Sequence, residues 1–214
     1  MCNSRCLYVV DPVSNLYTID PATASARLVG PVGIANVTDI AFQGPTLYGV
    51  SFGQFLRLNP DTGTGTVIGA VGGGFQTNGL AIASDGTIYA GTTGGQLIKI
   101  NPGTGVGTLI GNFGGGMTSS GDLALDSNDN LYGALNSGGG VVLASINRNT
   151  GAATAIGSTG QGTVYGLAFF NCRLLGTTSP GQLLTINVAT GASTVIAKNN
   201  LNQWGLANKP CCGC

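Results

Sequence analysis

The chain has 214 residues, enough for one well-buried domain and few for two. Charged side chains make up only 7%, eight basic residues against eight aspartates, with no histidine and no glutamate. That composition excludes the clustered Lys and Arg that nucleic-acid phosphates require and the imidazole-activated nucleophiles of many hydrolases. No apolar run approaches the roughly 20 residues of a membrane-spanning helix.

From the N-terminus, three strand-like segments come first: Leu7-Tyr8-Val9, Leu16-Tyr17-Thr18-Ile19-Asp20-Pro21 and Arg27-Leu28-Val29-Gly30. A four-segment unit then repeats. Its first copy is Asp39-Ile40-Ala41-Phe42, Leu47-Tyr48-Gly49, Phe55-Leu56-Arg57-Leu58-Asn59-Pro60 and Thr66-Val67-Ile68-Gly69. Later copies open at Gly79-Leu80-Ala81-Ile82, Asp122-Leu123-Ala124-Leu125 and Gly166-Leu167-Ala168-Phe169. Gly205-Leu206-Ala207 then stands alone near the C-terminus. The leucine-type position falls at 40, 80, 123, 167 and 206, a period of 39 to 44. Asp61-Thr62-Gly63, Gly103-Thr104-Gly105, Asn149-Thr150-Gly151 and Ala189-Thr190-Gly191 join the third segment to the fourth, and their last glycine supplies the positive φ of a tight hairpin.

Four short strands at a period near 40 predict the blade of a β-propeller. The expected fold is all-β: one five-bladed propeller of four-stranded antiparallel blades, a single domain over 1–214. Complete blades are expected at about 37–69, 77–111, 120–157 and 164–197. The fifth combines an inner strand at 203–208 (segment 203–214) with N-terminal strands at 6–30 (segment 1–30), which removes the exposed edges of an open ring. These repeats resemble the quinoprotein-dehydrogenase-like propeller repeats of many secreted bacterial proteins, and in blade count the chain resembles tachylectin-2-type sugar-binding propellers. The resemblance implies a fold and carries over no binding residue.

Cysteines gather at the expected seam: Cys2 and Cys6 at one end, Cys211, Cys212 and Cys214 at the other, with Cys172 in a turn of the fourth copy. An even count beside the closure favours disulfides in an oxidising compartment, with at least one bond between Cys2 or Cys6 and the tail. A four-cysteine zinc site is the alternative. Met1 to Cys6 carries no apolar leader core, which fits a removed leader, another export route, or a virion protein released by lysis.

Asp39 and Asp122 occupy one repeat position where the other copies carry glycine. They are candidates for a cation or for acid–base work, against the simpler role of capping backbone amides. Asp126-Ser127-Asn128-Asp129-Asn130 alternates oxygen side chains like a calcium loop but lacks its glycine and closing glutamate, and reads as a turn. The runs Gly72-Gly73-Gly74 and Gly114-Gly115-Gly116 lack the helix and Gly-Lys-Ser/Thr ending of a phosphate loop, and read as connections between blades.

Those connections hold the candidate ligand residues Gln76, Asn78, Ser119, Gln161, Tyr165, Gln203 and Trp204. Neutral amides beside aromatic rings suit an uncharged sugar. The competing role for Tyr165 and Trp204 is to wedge between blades. The expectation is therefore a non-catalytic binding or structural module without a cofactor, extracellular, on a cell surface or on a virion. Its partners would be other protein subunits or a neutral glycan, as in a lectin, with no nucleic acid and no membrane insertion. A metal-assisted hydrolase or lyase built on Asp39 and Asp122 is the weaker reading.

Overall fold

The structure is a computed structural model that describes residues 7–209. Three N-terminal strands come first: β1 (Leu7–Val10), β2 (Asn15–Ile19) and β3 (Ala26–Pro31). The first complete blade is β4 (Val37–Gln43), β5 (Thr46–Ser51), β6 (Gln54–Leu58) and β7 (Gly65–Ala70). The second is β8 (Thr77–Ile82), β9 (Ile88–Thr92), β10 (Gln96–Ile100) and β11 (Gly107–Asn112). The third is β12 (Thr118–Leu125), β13 (Leu131–Ser137), β14 (Gly140–Ile146) and β15 (Ala153–Ser158). The fourth is β16 (Gly166–Phe170), β17 (Arg173–Thr177), β18 (Gln182–Ile186) and β19 (Ser193–Lys198), and β20 (Trp204–Asn208) follows. Among the described residues there is no helix.

Each sheet runs antiparallel in sequence order from its inner strand to its outer one, except the fifth, whose order is β20-β1-β2-β3. There Leu7 pairs with Asn208, Tyr8 with Ala207 and Val9 with Leu206, so one C-terminal strand and three N-terminal strands share a blade. The five-bladed ring, closed through its termini, is the fold that the repeat predicts. Cys2, Cys6, Cys211, Cys212 and Cys214 lie outside the described residues.

Apolar residues fill the gaps between blades. Five buried clusters each join two neighbouring blades; Leu47 and Leu56 of the first meet Val10 and Leu16 of the fifth, for example. The inner two strands of each blade are mostly buried and the outermost mostly exposed. The repeat therefore stabilises the ring at its seams, where each blade covers a face its neighbour cannot bury alone.

A second set of contacts acts at larger radius. An Asx turn opens every hairpin between third and fourth strands, with the side-chain oxygen of Asp20, Asn59, Asn101, Asn147 or Asn187 accepting two following backbone N–H groups. In the four complete blades a glycine with φ of 76 to 84° completes it; in the fifth, Ala24 takes φ 57° instead. Each of these four turns presses a threonine carbonyl against the outer-strand glycine of the preceding blade: Thr62 on Gly30, Thr104 on Gly69, Thr150 on Gly111 and Thr190 on Gly157. A methyl group at any of those glycines would overlap the carbonyl, which explains the glycine ending the fourth repeat segment.

Gly111→Ala should accordingly destabilise the ring by about 1–3 kcal/mol through overpacking against backbone, read as a fall of roughly 3–10 °C in thermal midpoint. Ala197→Gly, at the matching position of the fourth blade, should change the midpoint little. An unchanged midpoint for Gly111→Ala would contradict this packing.

Candidate functional site

The inner strands come together at positions 39, 79, 122, 166 and 205, which carry Asp, Gly, Asp, Gly and Gly. Both aspartates are fully buried, and their carboxyl groups are hydrogen-bonded to each other. Asp39 Oδ1 accepts the Ile40 N–H at 2.7 Å and Oδ2 accepts the Leu80 N–H. Asp122 Oδ1 accepts the Leu123 N–H at 2.6 Å, while Oδ2 accepts those of Leu167 and, at 3.2 Å, Leu206. One N–H from each of the five blades thus ends on the pair. These are the inner-edge amides that no neighbouring strand pairs, and leaving them buried and unbonded would be costly.

Glycine at positions 79 and 205 makes room for the pair. A Cβ on Gly205, whose φ is +56°, would lie 2.5 Å from Asp39 Oδ1, and one on Gly79 would lie 3.3 Å from the Asp122 backbone. Burial raises the pKa of both carboxyls, strongly at Asp39, where the Asp122 charge and hydrogen bond add to it. At Asp122, burial raises the pKa to about 8, against the lowering effect of the Asp39 hydrogen bond and the three N–H donors. This is the pattern of two carboxyls that share a proton. All four oxygens already accept N–H groups whose positive ends face the pair, so the donor set disfavours a cation. Capping is the geometry observed: each of the four oxygens accepts at least one backbone N–H.

Above the pair lies a cavity of about 230 Å³ lined by Thr38, Phe52, Asn78, Thr93, Ser120, Gly121, Tyr165 and Trp204. Four of the inner strands carry a register break at this level, between Val37 and Asp39, Thr77 and Gly79, Ser119 and Asp122, and Trp204 and Leu206. The unpaired residues of three of them, Thr38, Asn78 and Ser120-Gly121, are those that reach the cavity, as bulges redirect side chains. A Cβ on Gly121 would lie 2.6 Å from Tyr165 Cα, so only glycine admits the tyrosine there. Tyr165 and Trp204 meet edge to face, with centroids 6.4 Å apart and planes at 72°. Trp204 also packs on the seam between first and fifth blades, so it serves the core and the cavity at once.

Of the residues singled out from sequence, the cavity brings together Asn78, Tyr165 and Trp204 and leaves out the rest. Gln76 is exposed, and its backbone carbonyl accepts the Thr93 N–H. Ser119 is buried behind Asn78, whose Nδ2 donates to its carbonyl at 3.2 Å. Gln161 instead donates to Ser193 Oγ at 3.0 Å, and Gln203 is fully buried and donates to Asn199 Oδ1 at 3.0 Å. Sequence reasoning missed Phe52 and Thr93, which follow the second strands of the first and second blades; matched placement in the repeat is the signal that could have found them.

On the opposite side of the pair, a funnel of about 180 Å³ is lined by residues 40–42, 80–82, 123–125, 167–169 and 206–208. Elsewhere, Asp126 Oδ1 accepts the N–H groups of Asn128 and Asn130, and Asp129 accepts Ser84 N–H and Oγ–H while lying 3.8 Å from Arg148. That segment is a turn fastened to the adjacent blade. The two glycine runs connect blades with every φ between 59 and 78°.

No protein-family model matches the chain, and no curated protein matches it. Solved structures do. A chain of the nidogen/laminin complex is 10% identical with a TM-score of 0.67, covering 97% of this chain and 99% of its own. A Bacteroides thetaiotaomicron protein of unknown function is 12% identical with a TM-score of 0.63, over 95% of this chain and 64% of its own. The extracellular domain named as that of a hybrid two-component system of the same organism is 17% identical with a TM-score of 0.51, over 92% and 29%. At such identities the likeness is one of fold.

Because the folded pair holds a proton that the unfolded aspartates release near pH 4, the fold binds more protons than the unfolded chain above that pH. Stability is therefore full below about pH 4 on this account and falls as pH rises towards about 8. Asp39→Asn should flatten that slope in thermal melts from pH 4 to 8.5, and Asp39→Ala should cost about 3–5 kcal/mol by leaving buried N–H groups and one carboxyl unpaired. A wild-type midpoint that rises across this range would contradict the shared proton.

Proposed function

We propose that this chain is a non-catalytic binding module, exposed outside a cell or on a virion, acting in recognition or surface assembly. The observation that carries this reading is the axial cavity: aromatic on one side, lined by neutral polar groups, and held on a ring whose only fully buried carboxyls among the described residues are occupied by backbone. A rigid scaffold presenting such a mouth suits recognition, and the absence of histidine and glutamate from the sequence leaves few groups for acid–base chemistry.

Two partner classes have an observation in their favour. Other protein subunits suit the outer rim, where Leu28, Val67, Leu109 and Val195 stand exposed at matching positions of four blades. A neutral glycan suits the mouth, because Phe52, Tyr165 and Trp204 offer ring surfaces beside the amide of Asn78. Extracellular domains among the fold's neighbours agree with an exterior location, as does the proposed fastening by disulfides. Cys172 lies in the β16–β17 turn, and Asn208 at the end of β20 donates to the Phe169 carbonyl at 2.9 Å, so that turn lies near the point where the chain leaves the last strand.

A glycan array together with native mass spectrometry tests the reading. Binding that falls at least about tenfold in a folded Trp204→Ala variant is expected if the mouth is the site. A mass gain of six hydrogens on reduction, without bound zinc, is expected for the six cysteines. Binding unaffected by Trp204→Ala removes the mouth from the function, and a chain that is monomeric and binds no glycan argues against both partner classes.

A further inference from the structure

We infer that the axial cavity is a receptor for one terminal, uncharged sugar ring, with Asn78 as the residue that orients it; this rests on the reading of the mouth as a recognition site. Asn78 is only 9% exposed and lines the cavity, yet its Oδ1 has no hydrogen-bond partner. Its orientation is fixed rather than free, since Nδ2 donates to the Ser119 carbonyl at 3.2 Å and thereby leaves Oδ1 as a committed acceptor. A buried acceptor without a donor calls for one, and in a cavity mouth the donor comes from the occupant.

Three properties narrow that occupant. The first is size: about 230 Å³ lies below the ~300–1,000 Å³ of a drug-sized site, so it holds one ring and leaves a second outside. The second is shape, because Tyr165 and Trp204 at 72° form a corner against which the C–H face of a pyranose can pack while its edge hydroxyls turn towards Asn78 and Ser120. The third is charge. No Lys or Arg lines the cavity, and the residues beneath it include the two proton-sharing carboxyls. An anionic sugar would bring its carboxylate to an uncompensated acceptor and to that pair, so the site selects a neutral ring with a hydroxyl donor.

Trp204 is the chain's single tryptophan and therefore an internal reporter. Its emission is to be titrated with D-glucose, D-galactose, D-mannose and L-fucose, and with D-glucuronic acid as the charged control. The account expects saturable change with at least one neutral sugar and at least tenfold weaker response to glucuronate. Asn78→Ala should weaken the neutral sugar at least tenfold with the thermal midpoint little changed. If that variant misfolds, Ser120→Ala serves, with a smaller loss of about threefold or more expected. No response to any neutral monosaccharide, or equal response to glucuronate, overturns the inference. If a longer glycan or a protein nevertheless binds in a manner lost in Trp204→Ala, the mouth remains the recognition site and only the single-sugar assignment fails.

Discussion

Five backbone N–H groups, one from each blade, converge on two buried carboxyl groups that are hydrogen-bonded to each other. Every propeller must deal with the inner edge of its innermost strands, where amides face the axis and have no strand to pair with. Here the residues adjoining those amides are three glycines and two aspartates, so the side chains of two blades satisfy the edges of all five. Ring, cavity and funnel are arranged about this contact: the mouth residues Thr38, Asn78, Gly121, Tyr165 and Trp204 each immediately precede one of its five positions.

The interaction also accounts for the charge economy of the chain. Two fully buried carboxyls with no cationic partner beside them would ordinarily be strongly destabilising. Burial raises the pKa of both carboxyls and so lowers the charge to be buried, and five inward N–H dipoles stabilise what remains. The arrangement tolerates no side chain at position 205, as the approach of a Cβ at Gly205 to Asp39 shows. Adjacent blades hold the clasp together through their apolar seams, and the clasp in turn fixes the bulged strands that shape the axial cavity.

Much of the fold was legible in the sequence because it is locally encoded. Turn residues such as Asn59 and Gly63, the short apolar clusters in segments such as Leu97-Ile98-Lys99-Ile100, and the stranded Gly205-Leu206-Ala207 each carry their own signal, and repetition multiplies it. The position of Asp39 and Asp122 was legible too. Their partners were not, since the Leu206 amide meets Asp122 only after the ring has closed across 84 residues. The site was read in part for the same reason. Asn78, Tyr165 and Trp204 share a place in the repeat and so share a place in space. Gln161 and Gln203, equally polar and nearby in sequence, turn away to Ser193 and Asn199, partners that side-chain identity does not announce.

The resulting picture is a molecule whose packing is concentrated at the axis and seams, leaving one neutral, aromatic mouth, which is the proposed site of recognition. Its central claim is the shared proton. Carbon-13 NMR of the assigned Asp39 and Asp122 carboxyl carbons across a pH titration reads that proton directly. The account predicts that the pair still gives protonated-type shifts above about pH 6, where ordinary aspartates are ionised. Both carbons at their ionised positions by about pH 6 would contradict it.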